Sequence, residues 1–293
     1  MLQVKNLSKK IDDRSILEDV TFSIPPGSVT GLVGRNGVGK STLMETMIGI
    51  LDQDAGEVTY NDMNIHNNPA IKQKIVFSPD STSMLKNYTV KEIVNIYKMI
   101  YTTFDEAYFY TLVERFSLPT GKMANYSKGM KALIQILLAF STRAEVVLLD
   151  EPTNGLDPFI KKRVLQFIIE EVSARNVSVL ISTHHLDEIE KIADTVVMLK
   201  KGKVDSITSL GDMKNDYMKI QVAFEKSFPQ KLEALSNVSI LETTGRVHIV
   251  LIRGNAEETL YKFTKETPLL LDELPMTLED LFEYNLGGNG HVS

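Results

Sequence analysis

One eight-residue stretch constrains this chain more than any other. Gly34-Arg35-Asn36-Gly37-Val38-Gly39-Lys40-Ser41 fits the pattern G-x-x-x-x-G-K-[ST]. The apolar run Ser28–Val33 before it reads as a strand, and the residues from about Lys40 read as a helix. The glycines therefore fall in a strand-to-helix turn, where backbone N–H groups can point inward around a phosphate and the helix N-terminus adds a favourable dipole. Lys40 is placed to bridge β- and γ-phosphate oxygens, and the Ser41 hydroxyl to ligate Mg²⁺. The competing reading is a glycine-rich turn that merely lets a strand meet a helix. With every fixed position filled and the flanking pattern right, phosphate binding is the stronger of the two. By itself the motif says nucleotide phosphate and no more.

The surrounding pattern places that turn in an α/β core. Short apolar runs bounded by turn residues alternate with longer helical patterns, the signature of a mainly parallel sheet. Strands are predicted at Val20–Ile24, Ser28–Val33, Ile75–Phe77, Val146–Leu149, Ser178–Ser182 and Thr195–Leu199. Thr89-Val90-Lys91-Glu92 is a capping-box pattern that opens a helix. From there to Phe140 the sequence is helical with no convincing strand, which predicts a helical subdomain over about 80–140. A hinge is expected around Ser206–Asn215. Beyond it the order is strand Met218–Phe224, helix Phe228–Leu235, strands Val238–Glu242 and Val247–Ile252, helix Ala256–Thr264 and strand Leu269–Leu271. That βαββαβ order predicts a ferredoxin-like module. The expected fold class is thus an α/β P-loop NTPase core with an inserted helical subdomain and a small C-terminal α+β domain. The expected divisions are 1–205, 216–286 and a disordered tail at 287–293.

Length and composition narrow the setting. The chain has 293 residues, enough for one large domain and a small one. Its net charge of −6 argues against nucleic acid as a partner, which usually demands a basic balance or stripe. No cysteine is present, so disulfide and thiolate chemistry are excluded. The opening MLQVKNLSKK lacks the apolar run of a signal peptide. No stretch approaches the roughly 18–20 apolar residues that cross a bilayer, so any membrane role is expected to come through a partner.

Val146-Val147-Leu148-Leu149-Asp150-Glu151 is a buried-strand pattern ending in two acids. Side chains alternate along a strand, so the two carboxylates can do separate jobs. Asp150 is expected to hold magnesium through water, and Glu151 to orient and deprotonate an attacking water, an effect of roughly 10²–10⁴-fold in rate. Two acids solvating a strand end is the plainer alternative. His184 follows the predicted strand Ser178–Ser182 and could hydrogen-bond the γ-phosphate. A lone histidine is more often structural, and His185 competes for the role.

Together, GRNGVGKS, YSKGM, VVLLDEP, NGLD and STHH, in this order and spacing, resemble the motifs of ABC transporter nucleotide-binding subunits over residues 1 to about 205. The resemblance implies an ATPase with ATP and Mg²⁺ as cofactors, the nucleotide gripped by Gly34 through Ser41 and Thr42. It implies that ATP is sandwiched between two subunits, Ser127 and Gly129 of one touching the γ-phosphate held by Lys40 of the other. Asn154–Asp157 would be the loop that crosses between subunits, and His184 the switch histidine. The partner would be a second copy or a paralogous ATPase subunit. Together they would act on a separate permease, peripherally on the cytoplasmic face of the membrane. The surface Ser78–Tyr88, with Phe77, Met84, Leu85 and Tyr88 as candidate groove residues, would receive the permease; each could equally be core.

Three positions depart from the family pattern. Lys128 in Tyr126-Ser127-Lys128-Gly129-Met130 stands where a second glycine is common and is expected to reach solvent. Ile11 occupies the place of the aromatic that stacks on adenine. Phe22, the one aromatic before Gly34, is assigned to the core, so weak base selectivity follows from the loss of roughly 1–3 kcal/mol of stacking. Asp80 replaces a glutamine and could still reach magnesium through water. Within the family, the wording of YSKGMKAL, STHHLDEIEKIADTVVML and Pro275–Phe282 is similar to small Gram-positive exporters of the acetoin-utilisation and phenol-soluble modulin types. Two other functions compete. A non-hydrolysing or slowly hydrolysing nucleotide sensor is suggested by Asp80 and the altered signature. A soluble ABC ATPase acting on ribosomes or DNA is disfavoured by the single catalytic half and the short span from Lys40 to Asp150.

Overall fold

In the computed structural model, which describes residues 1–80 and 86–287, the chain opens with a long hairpin. Strand β1 (Leu2–Ile11) pairs antiparallel with β2 (Arg14–Ile24) around Asp12 and Asp13. Both turn residues are left-handed, φ 48° and 60°, the geometry that two-residue hairpin loops favour. Their alternation buries Leu2, Val4, Leu17, Val20 and Phe22, so Phe22 is core as expected. Strands β4 (Ala55–Tyr60) and β5 (Met63–Asn64) complete a sheet in the order β2-β1-β4-β5.

The second sheet carries the chemistry. It contains β3 (Val29–Val33), β6 (Ile75–Ser78), β7 (Val146–Asp150), β8 (Ser178–Thr183), β9 (Thr195–Lys200) and β10 (Lys203–Ser209), ordered β10-β9-β3-β8-β7-β6. From β9 to β6 every neighbouring pair is parallel. Strands β3, β7 and β8 are buried at every position, which is why their sequences are continuous apolar runs rather than alternating ones. Helix α1 (Lys40–Met47) sends Leu43, Met44 and Met47 into a core with Leu2, Leu17, Leu148 and Leu180. Each such side chain contributes roughly 1.5–3 kcal/mol on burial. The short α2 (Pro69–Lys72) leads into β6.

Between β6 and β7 lie α3 (Val90–Ile100), α4 (Glu106–Arg115) and α5 (Lys128–Ser141). The capping box opens α3: the Thr89 amide donates to Glu92 Oε2 at 2.7 Å, and the Glu92 amide to Thr89 Oγ1 at 3.2 Å. Among the described residues this segment forms no strand, only a single bridge between Thr89 and Lys122. Helix α6 (Pro158–Arg175) follows β7, and α7 (Leu186–Ile189) follows β8.

Two compact units divide the chain, Met1–Ile207 and Thr208–Ser293. The second holds α8 (Leu210–Asp216), β11 (Tyr217–Ala223), α9 (Gln230–Glu233), β12 (Val238–Thr244), β13 (Val247–Arg253), α10 (Ala256–Lys265), β14 (Leu270–Leu274) and α11 (Leu278–Gly287). Its antiparallel sheet runs β12-β13-β11-β14, the strand order of a ferredoxin-like βαββαβ module. Ile220, Val222, Phe224, Val250, Ile252 and Phe263 form its core.

The division between the two units falls inside the expected Ser206–Asn215 segment, where β10 runs on to Ser209, whose hydroxyl caps α8. Two expectations need correction. The helix expected over Phe228–Leu235 shrinks to Gln230–Glu233, because Pro229 occupies the cap position and Phe228 packs edge-on against Phe224. A C-terminal helix, α11, was not anticipated, and it extends to Gly287. The rest of the expected tail, like Met84 and Leu85, lies outside the described residues.

Candidate active site

The carboxyl ends of β3, β7 and β8 are adjacent and converge on a cavity of about 470 Å³. Ile16, Asn36, Gly37, Gly39, Lys40 and Ser41 line one part of it; Thr42, Asp80, Asp150, Glu151, Asn154 and His184 line the rest. Such a crevice beyond the strand ends is where open parallel sheets bind ligands.

The glycine turn is built as the sequence implies, but its members do different things. Gly39 sits at φ 110°, which a side chain rarely tolerates, and opens α1 directly. Gly34 is there for space: a Cβ on it would stand 2.6 Å from the Leu199 carbonyl oxygen and 2.8 Å from Val38 Cγ1. Val38 turns its side chain to the core, and Arg35 is exposed. Gly34, Arg35 and Val38 therefore do not line the cavity with the rest of the motif. The Lys40 ammonium, only 6% exposed, donates to the Gly34 carbonyl at 2.8 Å and stands 3.5 Å from Glu151 Oε1.

The two acids diverge more sharply than strand alternation predicts. Asp150 ends β7, whereas Glu151 has already left it in the left-handed region at φ 46°. Ser182 pins both. Its hydroxyl donates to Asp150 Oδ1, and the Glu151 amide donates to Ser182 Oγ at 3.1 Å and to its carbonyl at 3.1 Å. Asp150 pairs directly with Ser182 across the β7–β8 ladder. On α1, Glu45 is pushed above the ordinary carboxylate range, first by burial and then by the Asp150 charge.

His184 Nδ1–H donates to the Glu151 carboxylate, 3.0 and 3.1 Å from its two oxygens. An ionised carboxylate only accepts, which fixes the proton on that nitrogen. The His185 ring lies beside it, tilted by 38° with centroids 4.0 Å apart, but does not line the cavity; its amide donates to the Thr183 hydroxyl instead. His184, Glu151 and Lys40 thus form one chain of polar contacts.

Ser41, Asp80 and Asp150 share the cavity, and their oxygen donors suit a hard cation. Among the described residues no group of three or more His, Cys, Asp or Glu side chains converges as a metal cage. Mg²⁺ typically takes one or two protein oxygens and completes its shell with phosphate and water, and the oxygens of Ser41, Asp80 and Asp150 fit that chemistry.

Ile11 is exposed at the end of β1 and is not part of the lining; Ile16 is, with its Cγ2 and carbonyl oxygen against Gly39. Ser127 and Gly129 also lie outside the cavity. Ser127 caps α5 by accepting from the Met130 amide at 3.1 Å, and both residues are accessible at least in part. Ile16 and Ser182 were missed in the sequence; a strand-end serine opposite an acid in a parallel pair is the one signal that could have found Ser182.

Residues 17–154 match the family model described as ABC transporter. A second model, described as AAA domain, putative AbiEii toxin, Type IV TA system, matches residues 122–190. The chain is 34% identical to the ABC transporter ATP-binding protein YtrB of Bacillus subtilis, over 98% of this chain and 99% of that protein. It is 30% identical to the lantibiotic transport ATP-binding protein SrtF of Streptococcus pyogenes, over 77% of this chain and 99% of that one. Among solved structures, one described as the ATP binding subunit of an ABC transporter superposes with a TM-score of 0.67 at 30% identity, covering 73% of this chain and 92% of that chain.

Proposed function

Because the chain belongs to the ABC transporter family of ATP-binding subunits and is an ATPase, we propose that it is the motor of an exporter, closing in pairs over ATP and driving a separate permease. The observation that carries this reading is the convergence of Lys40, Asp150, Glu151 and His184 on one cavity at adjacent strand ends.

The roles follow from the geometry. Asn36, Gly37, Gly39, Lys40, Ser41 and Thr42 receive the phosphates, with Gly34, Arg35 and Val38 shaping the turn. When ATP enters, Lys40 exchanges Glu151 and the Gly34 carbonyl for phosphate oxygens, and Glu151 is left to accept the proton of the attacking water. His184 holds that carboxylate in place through Nδ1; a contact from Nε2 to a phosphate oxygen would need a second proton on the ring, making it the imidazolium. Ser41, Asp150 and Asp80 would hold Mg²⁺, which when bound neutralises charge on the phosphates. The accessible Ser127 and Gly129 supply the lid over the nucleotide of a second copy. Ile16 replaces Ile11 in this proposal as the apolar residue next to the nucleotide.

Export is supported by the lantibiotic transport relative. The closer likeness to exporters of the acetoin-utilisation and phenol-soluble modulin types is part of the same proposal. Among the described residues no helix is long and apolar enough to cross a membrane. As the ATP-binding partner of a permease, the chain would sit peripherally on the inner face of the membrane. Tyr88 and, on α3, Met99 and Ile100 are exposed apolar side chains suited to receive a permease helix.

Wild type and Glu151→Gln decide the matter. The variant is expected to lose roughly 10²–10⁴-fold in turnover and to accumulate ATP-dependent dimers on size exclusion. A Glu151→Gln chain that hydrolyses ATP normally, or stays monomeric with ATP bound, would overturn it.

A further inference from the structure

Helix α5 begins against the loop that follows the acid strand. Thr153, fully buried, donates to Glu188, which is held in turn by Lys161 at 2.7 Å. Asp157 caps α6 by accepting from the Phe159 and Ile160 amides at 3.0 and 3.1 Å. The loop is therefore fixed at both ends. Between them, the Asn154 amide donates to the Glu151 carbonyl at 3.0 Å and the Leu156 amide to the Thr153 carbonyl at 3.2 Å.

The middle residue, Gly155, is left-handed at φ 79° and exposed, the most deformable point of the loop. Lys128 lies on it. A Cβ at Gly155 would stand 3.1, 3.5 and 3.6 Å from Lys128 Cδ, Cε and Cγ. Gly129 completes the seat: a Cβ there would stand 3.2 Å from the Gly155 carbonyl oxygen and 3.1 Å from Leu156 Cδ2. The contact thus involves the carbon stem of Lys128.

We propose that Lys128 is a positioning residue whose stem holds Gly155, and through it keeps Asn154 at the cavity and the Glu151 peptide in its left-handed turn. The stem does this and the charge does not, since long cationic side chains cover apolar and backbone surface with their methylenes while the head stays in water. The functional part of this inference rests on the hydrolytic reading of the cavity. The loop contact does not.

Two variants separate stem from charge: Lys128→Met keeps the stem, and Lys128→Gly removes it. In the nucleotide-free full chain, amide exchange at Asn154 and Leu156 is expected to speed up about tenfold or more in Lys128→Gly, and to stay within about threefold of wild type in Lys128→Met. Steady-state ATP hydrolysis should show kcat down by about tenfold in Lys128→Gly with KM within about twofold, and kcat rescued in Lys128→Met. Unchanged exchange in Lys128→Gly overturns the proposal, as does a Lys128→Met chain that behaves like Lys128→Gly. A wild-type chain without turnover would remove the hydrolytic reading and leave the exchange result to decide Lys128.

Discussion

Ser182 is the smallest group on which the site depends, and removing its hydroxyl gives the sharpest test. The residue is fully buried, donates to Asp150 and accepts from the Glu151 amide. In Ser182→Ala the Glu151 amide keeps the residue 182 carbonyl, 3.1 Å away, so that half of the contact survives. Asp150 loses its hydroxyl donor while remaining only 6% exposed. A hydrogen bond to a charged group contributes about 1.5–3 kcal/mol, and a stranded buried acceptor adds to the loss. A figure of about 2 kcal/mol corresponds to a fall of roughly 4–8 °C in the melting of a unit of about 200 residues. Turnover should drop by on the order of tenfold or more, since misplacing a catalytic group by 1 Å can cost about 10²-fold. Calorimetry of the nucleotide-free chain and a steady-state ATPase assay measure the two effects. A first-unit transition within about 1 °C of wild type, together with normal turnover, would refute the claim that Ser182 holds the two acids.

Two further outcomes follow from other parts of the molecule. Burial alone would push Asp280 up, but Lys219 at 2.7 Å and the Thr277 hydroxyl and amide hold its carboxyl below the ordinary range. A lowered folded-state pKa stabilises above the unfolded value of about 3.9, and the contribution is lost as pH falls through the folded value. The second unit should therefore weaken below about pH 4. Asp280→Asn should remove that dependence in acid unfolding followed by circular dichroism; an unchanged acid transition would count against the pair. Gly34→Ala forces a Cβ to 2.6 Å from the Leu199 carbonyl oxygen and should cost about 1–3 kcal/mol in thermal unfolding. It should also weaken nucleotide binding in a titration; wild-type affinity would show that the turn relaxes freely.

Parts of the fold were legible because their physics is local or their burial complete. Strands β3, β7 and β8 are covered on both faces, so their apolar runs stand out, and the Thr89–Glu92 capping box spells its own helix start. Strand β10 was harder. Its exposure alternates with Lys203 and Asp205 in the pattern, and half-exposed strands with charges resemble linkers. Ile16 was missed for a topological reason. Counting back from the glycine turn selects Ile11, whereas the hairpin folds β2 so that Ile16 lies against Gly39. Ser182 was missed because its importance comes from pairing with a residue 32 positions away, which no local pattern encodes.

The register of the central sheet gives the site a kind of ruler. Ser182 pairs with Leu32 on one side and Asp150 on the other, so one row of residues ties the strand before the phosphate turn to the strand of the acids. Inserting a single residue inside β7 or β8 would invert every side chain beyond it. The connection entering β3 at the opposite edge, around the exposed Pro26, can lengthen without touching that row. An engineer seeking to graft new segments onto this protein would place them there.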